Sequence, residues 1–345
     1  MKNKLLSREN FKLKVFERDE CKCVFCRENA QDAHHLIDKS LWDDGGYYLD
    51  NGISVCHKHY EDCEKTLISI EDARKAANIN NIVLPEHFYE NEKYDKWGNI
   101  VLLNGQRIKG ELFFNENVQK ALKEVLDLFA DEIKYPRTNH MPWSAGLQND
   151  DRVIHNMNAF SGKRVIVTEK MDGENTTLYR HTMHARSVDS RHHESRNWVK
   201  SFWAGISQEI PNGWRICGEN LYAKHSIKYE NLSTYFMGFS IWNEKNECLS
   251  WDETIEWFNL IGITPVNVLY DGLYDEKLIK KICNSTDIDV SEGNVMRLAE
   301  SIKYIDFKCK VAKFVRKGHV QTNEHWMTKE IEKNLLNNKK LIIKK

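Results

Sequence analysis

The residue in this chain most open to covalent chemistry is a lysine at the end of a β-branched run. Arg164-Val165-Ile166-Val167-Thr168 reads as a strand and leads straight into Glu169-Lys170-Met171-Asp172-Gly173-Glu174-Asn175. Lys170 therefore falls where a strand enters a turn, at the mouth of a pocket. An amine is a weak nucleophile near neutral pH because its ammonium form dominates, and burial or a neighbouring cation frees the lone pair. Gly173 lets backbone approach a ligand, while Asp172 and Asn175 offer hydrogen bonds to a sugar or to the turn itself. Asp-Gly is also ordinary hairpin chemistry, so the lysine needs partners from elsewhere in the chain.

Five later segments supply candidates. In His184-Ala185-Arg186-Ser187 the arginine suits a phosphate, with Arg191 and Arg196 competing for the role. Trp214 to Tyr222 reads as a strand that places Glu219 at a Gly-Glu turn. Tyr235 to Trp242 alternates aromatic residues, with Phe236 the candidate to stack on a base and Phe239 assigned to the core. Glu292 sits at a strand start, suited to ordering magnesium-bound water. Phe307-Lys308-Cys309-Lys310 would put two lysines on one strand face, able to neutralise a triphosphate. Upstream, Arg137 and His140 lie in an irregular, proline-flanked segment and are further phosphate candidates.

With these motifs in this order, residues 135–317 resemble the covalent nucleotidyltransferase superfamily of ligases and capping enzymes, and within it the ATP-dependent RNA ligases of the nick-sealing type. The resemblance implies an ATP-grasp-like nucleotidyltransferase fold, antiparallel sheets with flanking helices. It also implies that Lys170 attacks the α-phosphate of ATP to give a lysyl-AMP. Arg186 would position phosphate or ribose, Glu219 would bond the ribose hydroxyl, and Phe236 would stack on adenine. Glu292 would hold the shell of Mg2+ or Mn2+, and Lys308 and Lys310 would contact phosphates. Glu169, Asp172, Gly173 and Asn175 complete the expected ATP and AMP contacts. The expected partner is RNA, or an RNA-containing duplex with a nick or break. About 35 residues follow Lys310, too few for the OB-fold of DNA ligases and capping enzymes, which favours the RNA branch.

A second chemistry-bearing group lies near the start. Cys23 and Cys26 form one pair and Cys56 and His59 another, each with a two-residue spacer, the pattern of a tetrahedral Cys3His zinc site. Cys21 and His57 are spare candidates. The segment from Cys23 to His59 resembles the HNH endonuclease family, whose ββα-metal fold frames a catalytic histidine. That resemblance makes His35 the general base, His34 a ligand for a catalytic divalent ion and Asn51 the residue that holds the hairpin. Tyr60 departs from the family at its last metal position, where Asp62 or Glu64 would have to substitute. Both a cutting module and one that grips nucleic acid without cutting stay open.

These groups need elements to position them. The sequence predicts a helix over 8–20, another over 66–80, a hairpin over 94–114 with turns at Trp97-Gly98-Asn99 and Asn104-Gly105-Gln106, and a helix over 116–132 capped by Asn115. The expected fold class is α+β in two domains, a zinc module with hairpin and spacer helix at 1–130 and an adenylyltransferase domain at 131–345. The chain of 345 residues, 41% hydrophobic, supports a core in each. No apolar run reaches membrane-spanning length, which predicts no membrane contact, and nine cysteines without a signal segment predict a reducing, cytoplasmic setting. The net charge of −1 conceals a basic end: residues 303–345 carry twelve Lys/Arg against four Asp/Glu. That end is either a polyanion contact or a solvated charged tail.

Overall fold

Ser7 accepts a hydrogen bond from the amide of Asn10 and so starts α1 (Arg8–Arg18), whose Phe11 and Val15 are buried one turn apart. In the computed structural model, residues 4–102, 105–147, 151–190, 192–285, 291–316 and 331–337 are described. Asn104, Arg191 and the basic stretch Lys339 to Lys345 lie outside them. The chain divides into two compact units, Met1–Asp131 and Glu132–Lys345.

In the first unit α1 packs on an antiparallel hairpin, β1 (Asp32–His35) with β2 (Gly52–Val55), in the register His34 to Ile53. Cys56 caps α2 (His57–Glu64), completing a ββα arrangement. Ser69 caps α3 (Ile70–Ala76) through the amide of Asp72. β3 (Ile100–Val101) and β4 (Arg107–Ile108) form the next hairpin. The helix expected over 116–132 divides into α4 (Glu116–Ala121) and a 3-10 stretch, Lys123–Leu128, that is itself interrupted by non-helical backbone at Val125. Leu122, Val125 and Phe129 are buried with Trp97 and Phe113, so packing, rather than an unbroken helical period, sets the path.

The second unit is mixed α and β around two sheets. One has the order β13 (Val268–Leu273), β6 (Arg164–Lys170), β14 (Gly293–Leu298), β16 (Val311–Val315), β5 (Asn139–His140). The other runs β15 (Ile302–Lys303), β11 (Glu247–Cys248), β10 (Phe236–Trp242), β9 (Arg215–Asn220), β7 (Glu174–Tyr179), β8 (Met183–His184), with β12 (Thr264–Pro265) also on β10. Val165, Val167, Met296 and Ala312 from the first share a core with Cys217, Trp242 and Cys248 from the second. The opposite face of the second sheet, with Leu178, Ile216, Phe236 and Ile241, packs on α5 (Asn197–Ile206) and α6 (Trp251–Ile261). A capping box of Ser250 and Glu253 starts α6, and Gly262 at φ 80° ends it. Ile279 and Cys283 of α7 (Glu276–Asn284) and Phe307 of α8 (Phe307–Lys310) join the shared core. Among the described residues no helix is long and apolar enough to cross a membrane.

Candidate active site

β6 carries Lys170 as its last residue, and the ladder sets Lys170 opposite Gly293 and Thr168 opposite Val295. Val295 in turn faces Lys313 on β16, and Lys313 aligns with His140 on β5. Directly paired residues share a sheet face, so Thr168, Lys170, Val295, Lys313 and His140 all line one cleft of about 960 Å3. Its other wall comes from β7 and β9, where Asn175 stands opposite Glu219.

The Lys170 ammonium donates to Glu292. Burial works to lower its proton affinity, but Glu292, Glu219 and Asp172 outweigh that and move it upward. Glu219 is pushed up to about 8 by burial, with Glu292 and Asp172 adding repulsion and Lys170 opposing it. Asp172 rises for the same first reason, burial, then by repulsion from Glu292. Three acids thus face one ammonium in the cleft. Glu219 also accepts from the amide of Gly173 at 3.2 Å. A Cβ at residue 173 would come within 2.5 Å of the Asn220 carbonyl oxygen, so glycine is required for this approach. The amides of Ser226 and Ile227 both donate to Asp172 Oδ2 at 2.7 Å. Glu169 also lines the cleft and accepts from Asn267 Nδ2 at 2.7 Å. Asn175 Oδ1 is buried with no hydrogen-bond partner, an acceptor aimed into the cleft wall.

The arginines divide. Arg186 is exposed on the cleft, while Arg196 is buried in a two-point pair with Glu174 that fixes the wall. Asp151 gathers His140 Nε2 at 3.1 Å, Arg137 at 3.6 Å and Lys313 at 3.6 Å on the same rim. Burial, and then the nearby cations Lys170 and Arg186, lower the proton affinity of Lys313, while Asp151 and Glu292 oppose them.

Two expected placements are corrected. Phe236 is wholly buried on the far face of β10, with Phe202 of α5 at 5.6 Å, and does not reach the cleft. Phe239 lines the cleft instead, edge-on to Tyr135 at 5.1 Å. The strand period puts 236 and 239 on opposite faces, and the register shift between Gly238 and Ser240 keeps Phe239 and Ser240 both inward. Lys308 and Lys310 lie on the helical turn α8, not on a strand, and neither lines the cleft. Phe307, 2% exposed, plugs the core and winds the chain there, so the strand starts only at Val311 and Lys313 is the lysine delivered. Lys310 pairs with Asp306 at 3.2 Å. The alternating run Val311 to Val315 carried a signal for Lys313; no local pattern pointed to Asp151.

In the first unit Cys23, Cys26, Cys56 and His59 bring their ligand atoms within 4.8 Å of one another. Cys26 and Cys56 sulfurs are 3.7 Å apart, and His59 Nδ1 lies 3.5 Å from Cys23 and 3.2 Å from Cys56. Cys21 and His57 are outside the group; Cys21 is exposed and His57 pairs with Glu61. Asn51 is 1% exposed and ties the hairpin loop, accepting from the Ile37 amide and donating to the carbonyls of Ile37 and Gly46. His34 and His35 point to opposite sides of β1. His35 stacks on Phe11 at 4.5 Å with its Nε2 buried. His34 Nε2 lies 3.4 Å from the Lys96 ammonium, which also bonds Glu64. Tyr60 meets the His34 ring edge-on at 5.3 Å.

Residues 163–315 match the family model of RNA ligases. Among solved structures, an RNA ligase of Naegleria gruberi in a mutant form with ATP and Mn is 18% identical, with 55% of this chain and 59% of that one covered and a TM-score of 0.37. An archaeal ATP-dependent RNA ligase is 15% identical, with 54% and 48% covered and a TM-score of 0.39. The chain thus spans about half to three fifths of those proteins. No curated protein matches.

Proposed function

We propose that the second unit is an ATP-dependent RNA ligase acting through Lys170. The observation that carries the reading is the Lys170–Glu292 contact at the centre of a cleft built within the family-matched segment. Once its ammonium proton has passed to solvent, Lys170 attacks the α-phosphorus of ATP as a neutral amine; the N–P bond forms as the bond between the α-phosphorus and the bridging oxygen breaks, pyrophosphate leaves, and the nitrogen gives up a second proton to solvent. The AMP then passes to an RNA 5′-phosphate, freeing the lysine. A 3′-hydroxyl attacks that activated phosphate, forms the phosphodiester and releases AMP. The covalent adduct divides one difficult displacement into easier ones, and the residues around it act by position and charge.

In this reading Arg186 and Lys313 meet phosphate oxygens, Phe239 offers its ring to the adenine, and Asn175 and Glu219 take ribose or base donors. Asp172 and Gly173 shape the turn, and Glu169 braces it through Asn267. The carboxylates at Glu292 and Asp172 beside a single ammonium fit a divalent cation, Mg2+ or Mn2+, with Glu292 the residue to hold it. Such an ion supplies charge neutralisation for the phosphates.

For the first unit we read a zinc-pinned nucleic-acid-binding module. A tetrahedron with Zn–S bonds of about 2.3 Å has edges of about 3.8 Å, which the Cys26–Cys56 spacing fits. Cutting chemistry is not part of this reading: Lys96 already sets a cation against His34 and Glu64, where a catalytic ion would need both, and His35 turns its Nε2 into the core.

The test is direct. Protein incubated with α-labelled ATP and magnesium, then denatured, should carry one labelled AMP, absent in Lys170→Ala. No adduct on wild type, or an adduct that survives the substitution, sinks the ligase reading.

A further inference from the structure

The segment 331–337 lies outside the family-matched region, yet one of its side chains is among the most completely bonded in the second unit. Asn334 is 0% exposed. Its Oδ1 accepts from the amide of Tyr229 at 2.9 Å, and its Nδ2 donates to the carbonyls of Leu221 at 2.8 Å and Ala223 at 3.4 Å. Its own amide donates to the Tyr222 carbonyl at 3.1 Å, and its carbonyl accepts from Tyr235 Oη at 2.9 Å. Two residues earlier, Glu332 pairs with Lys224 at 2.8 Å and Lys228 at 2.6 Å. Bridges of Ala223 with Lys333 and of Leu232 with Leu336 complete the seam. Every one of these contacts falls on residues 221–235.

That same stretch holds the turn after the nucleophile. Tyr229 Oη accepts from the Asp172 amide at 2.9 Å, and the amides of Ser226 and Ile227 donate to the Asp172 carboxylate. A continuous path of short hydrogen bonds therefore runs from Asn334 through the backbone and ring of Tyr229 to the residue two positions beyond Lys170. A tyrosine held at its backbone amide by Asn334 and holding the Asp172 amide at its hydroxyl fixes where that turn lies.

We propose that segment 331–337 is a positioning strap for the lysine turn, and that Asn334 and Tyr229 are the positioning residues through which it acts. The inference rests on the ligase reading above. Neither residue touches the reacting atoms. With the strap seated, the Asp172 amide is held and Lys170 keeps the line of attack on the α-phosphorus. Without it the turn drifts, and the step that depends on the direction of the amine suffers most.

The reaction sequence lets this be isolated, because RNA supplied already 5′-adenylylated bypasses the attack by Lys170. Full-length wild type, Asn334→Ala and Tyr229→Phe are compared in single-turnover adenylylation across ATP concentrations and in sealing of pre-adenylylated RNA. Misplacement of a reacting group by even an ångström slows attack steeply, so both variants should adenylylate roughly 10- to 100-fold more slowly, with the half-saturating ATP concentration and the bypass reaction each within about threefold of wild type. Adenylylation at the wild-type rate in Tyr229→Phe overturns the proposal. So does an equal loss of both reactions in that variant, which marks a merely structural role. Should Asn334→Ala fail to fold, Tyr229→Phe, which removes one oxygen, still decides. Wild type that forms no adduct at all instead overturns the ligase reading itself.

Discussion

Lys170 and Glu292 meet because Gly293, directly opposite Lys170 across the β6–β14 ladder, brings the preceding carboxylate to the amine. Gly293 adopts φ 154°, and a Cβ there would lie 2.0 Å from the Phe314 carbonyl oxygen, so the close turn at Glu292 depends on glycine. The contact holds the lysine charged: burial pulls its proton affinity down, and Glu292, Glu219 and Asp172 pull it up further. Removing Glu292 should release that hold. In metal-free protein the pH dependence of Lys170 acylation by an amine reagent should move to lower pH in Glu292→Gln, while adenylylation falls roughly 100-fold or more, as for loss of a group stabilising transferring charge. An unchanged acylation profile would show that the two groups are not coupled.

Phe239 and Phe236 make a paired test of which aromatic faces the nucleotide. Phe239→Ala should raise the half-saturating ATP concentration about 5- to 100-fold, the range of a lost base–aromatic stack, roughly 1–3 kcal/mol. Phe236 fills a core between β10 and α5. Its replacement by Ala should destabilise the unit by about 3–5 kcal/mol, as for other buried phenylalanines, with ATP dependence little changed where the protein is folded. Thermal melts beside ATP titrations separate the two; the reverse pattern would restore Phe236 to the site.

Those two phenylalanines also mark where the sequence was legible. Lys170, Asp172, Glu219 and Glu292 sit at strand ends and turns, and turn chemistry is local enough to be read from neighbouring residues. The choice between Phe236 and Phe239 depends on which face of β10 looks inward, and the register shift after Gly238 comes from pairing with β9. Lys308 and Lys310 looked like strand residues, but Phe307 sinks into the core and winds one helical turn before the strand begins. Asp151 and Asn334 act over long sequence separations, Asn334 meeting Tyr229 across 105 positions, so their partners are set by tertiary packing alone. In the first unit the Cys and His spacing was readable, whereas Lys96 lies 62 positions from His34 and has no motif.

Lys313, rather than Lys308 or Lys310, should govern phosphate contact. Lys313→Ala should slow adenylylation about 10- to 100-fold, the scale of a lost charge-assisted contact to transferring phosphate. Lys310→Ala should stay within about threefold, since Lys310 does not line the cleft and its partner is the partly exposed Asp306 one turn away. Asp151→Asn should tighten pyrophosphate inhibition by freeing Arg137, His140 and Lys313 from a resident carboxylate. Equal effects of Lys310→Ala and Lys313→Ala on the adenylylation rate would count against this assignment.

Metal content separates the four grouped ligands of the first unit from the two spares. Purified protein should carry close to one zinc per chain, and Cys23→Ser or Cys56→Ser should lose it, because each removes one of four ligands from a closed site. Cys21→Ser and His57→Ala should retain it, since both lie outside the group. Zinc retained in Cys56→Ser would show that the grouping is wrong.

Acid should loosen the β1–β2 hairpin through its two histidines. Burial, then the Lys96 charge, lowers His35 to about 4 from an ordinary value of 6.5, and the same two causes also lower His34. A histidine whose proton affinity falls on folding binds fewer protons folded than unfolded. Its stabilising contribution is therefore complete above about 6.5 and is lost as pH falls toward 4. Between pH 7 and pH 5 the His35 share is at most about 2 kcal/mol by linkage, less for whatever solvent reaches the partly exposed ring. Hydrogen exchange at the Leu36 and Ile37 amides, which are held by Asn51, reads local opening within the full chain. Protection, corrected for intrinsic rates, should fall on going from pH 7 to pH 5 in wild type and fall less in His35→Gln. Subtracting the two removes any common effect of zinc release, so parallel losses in both proteins would place the acid sensitivity elsewhere than at His35.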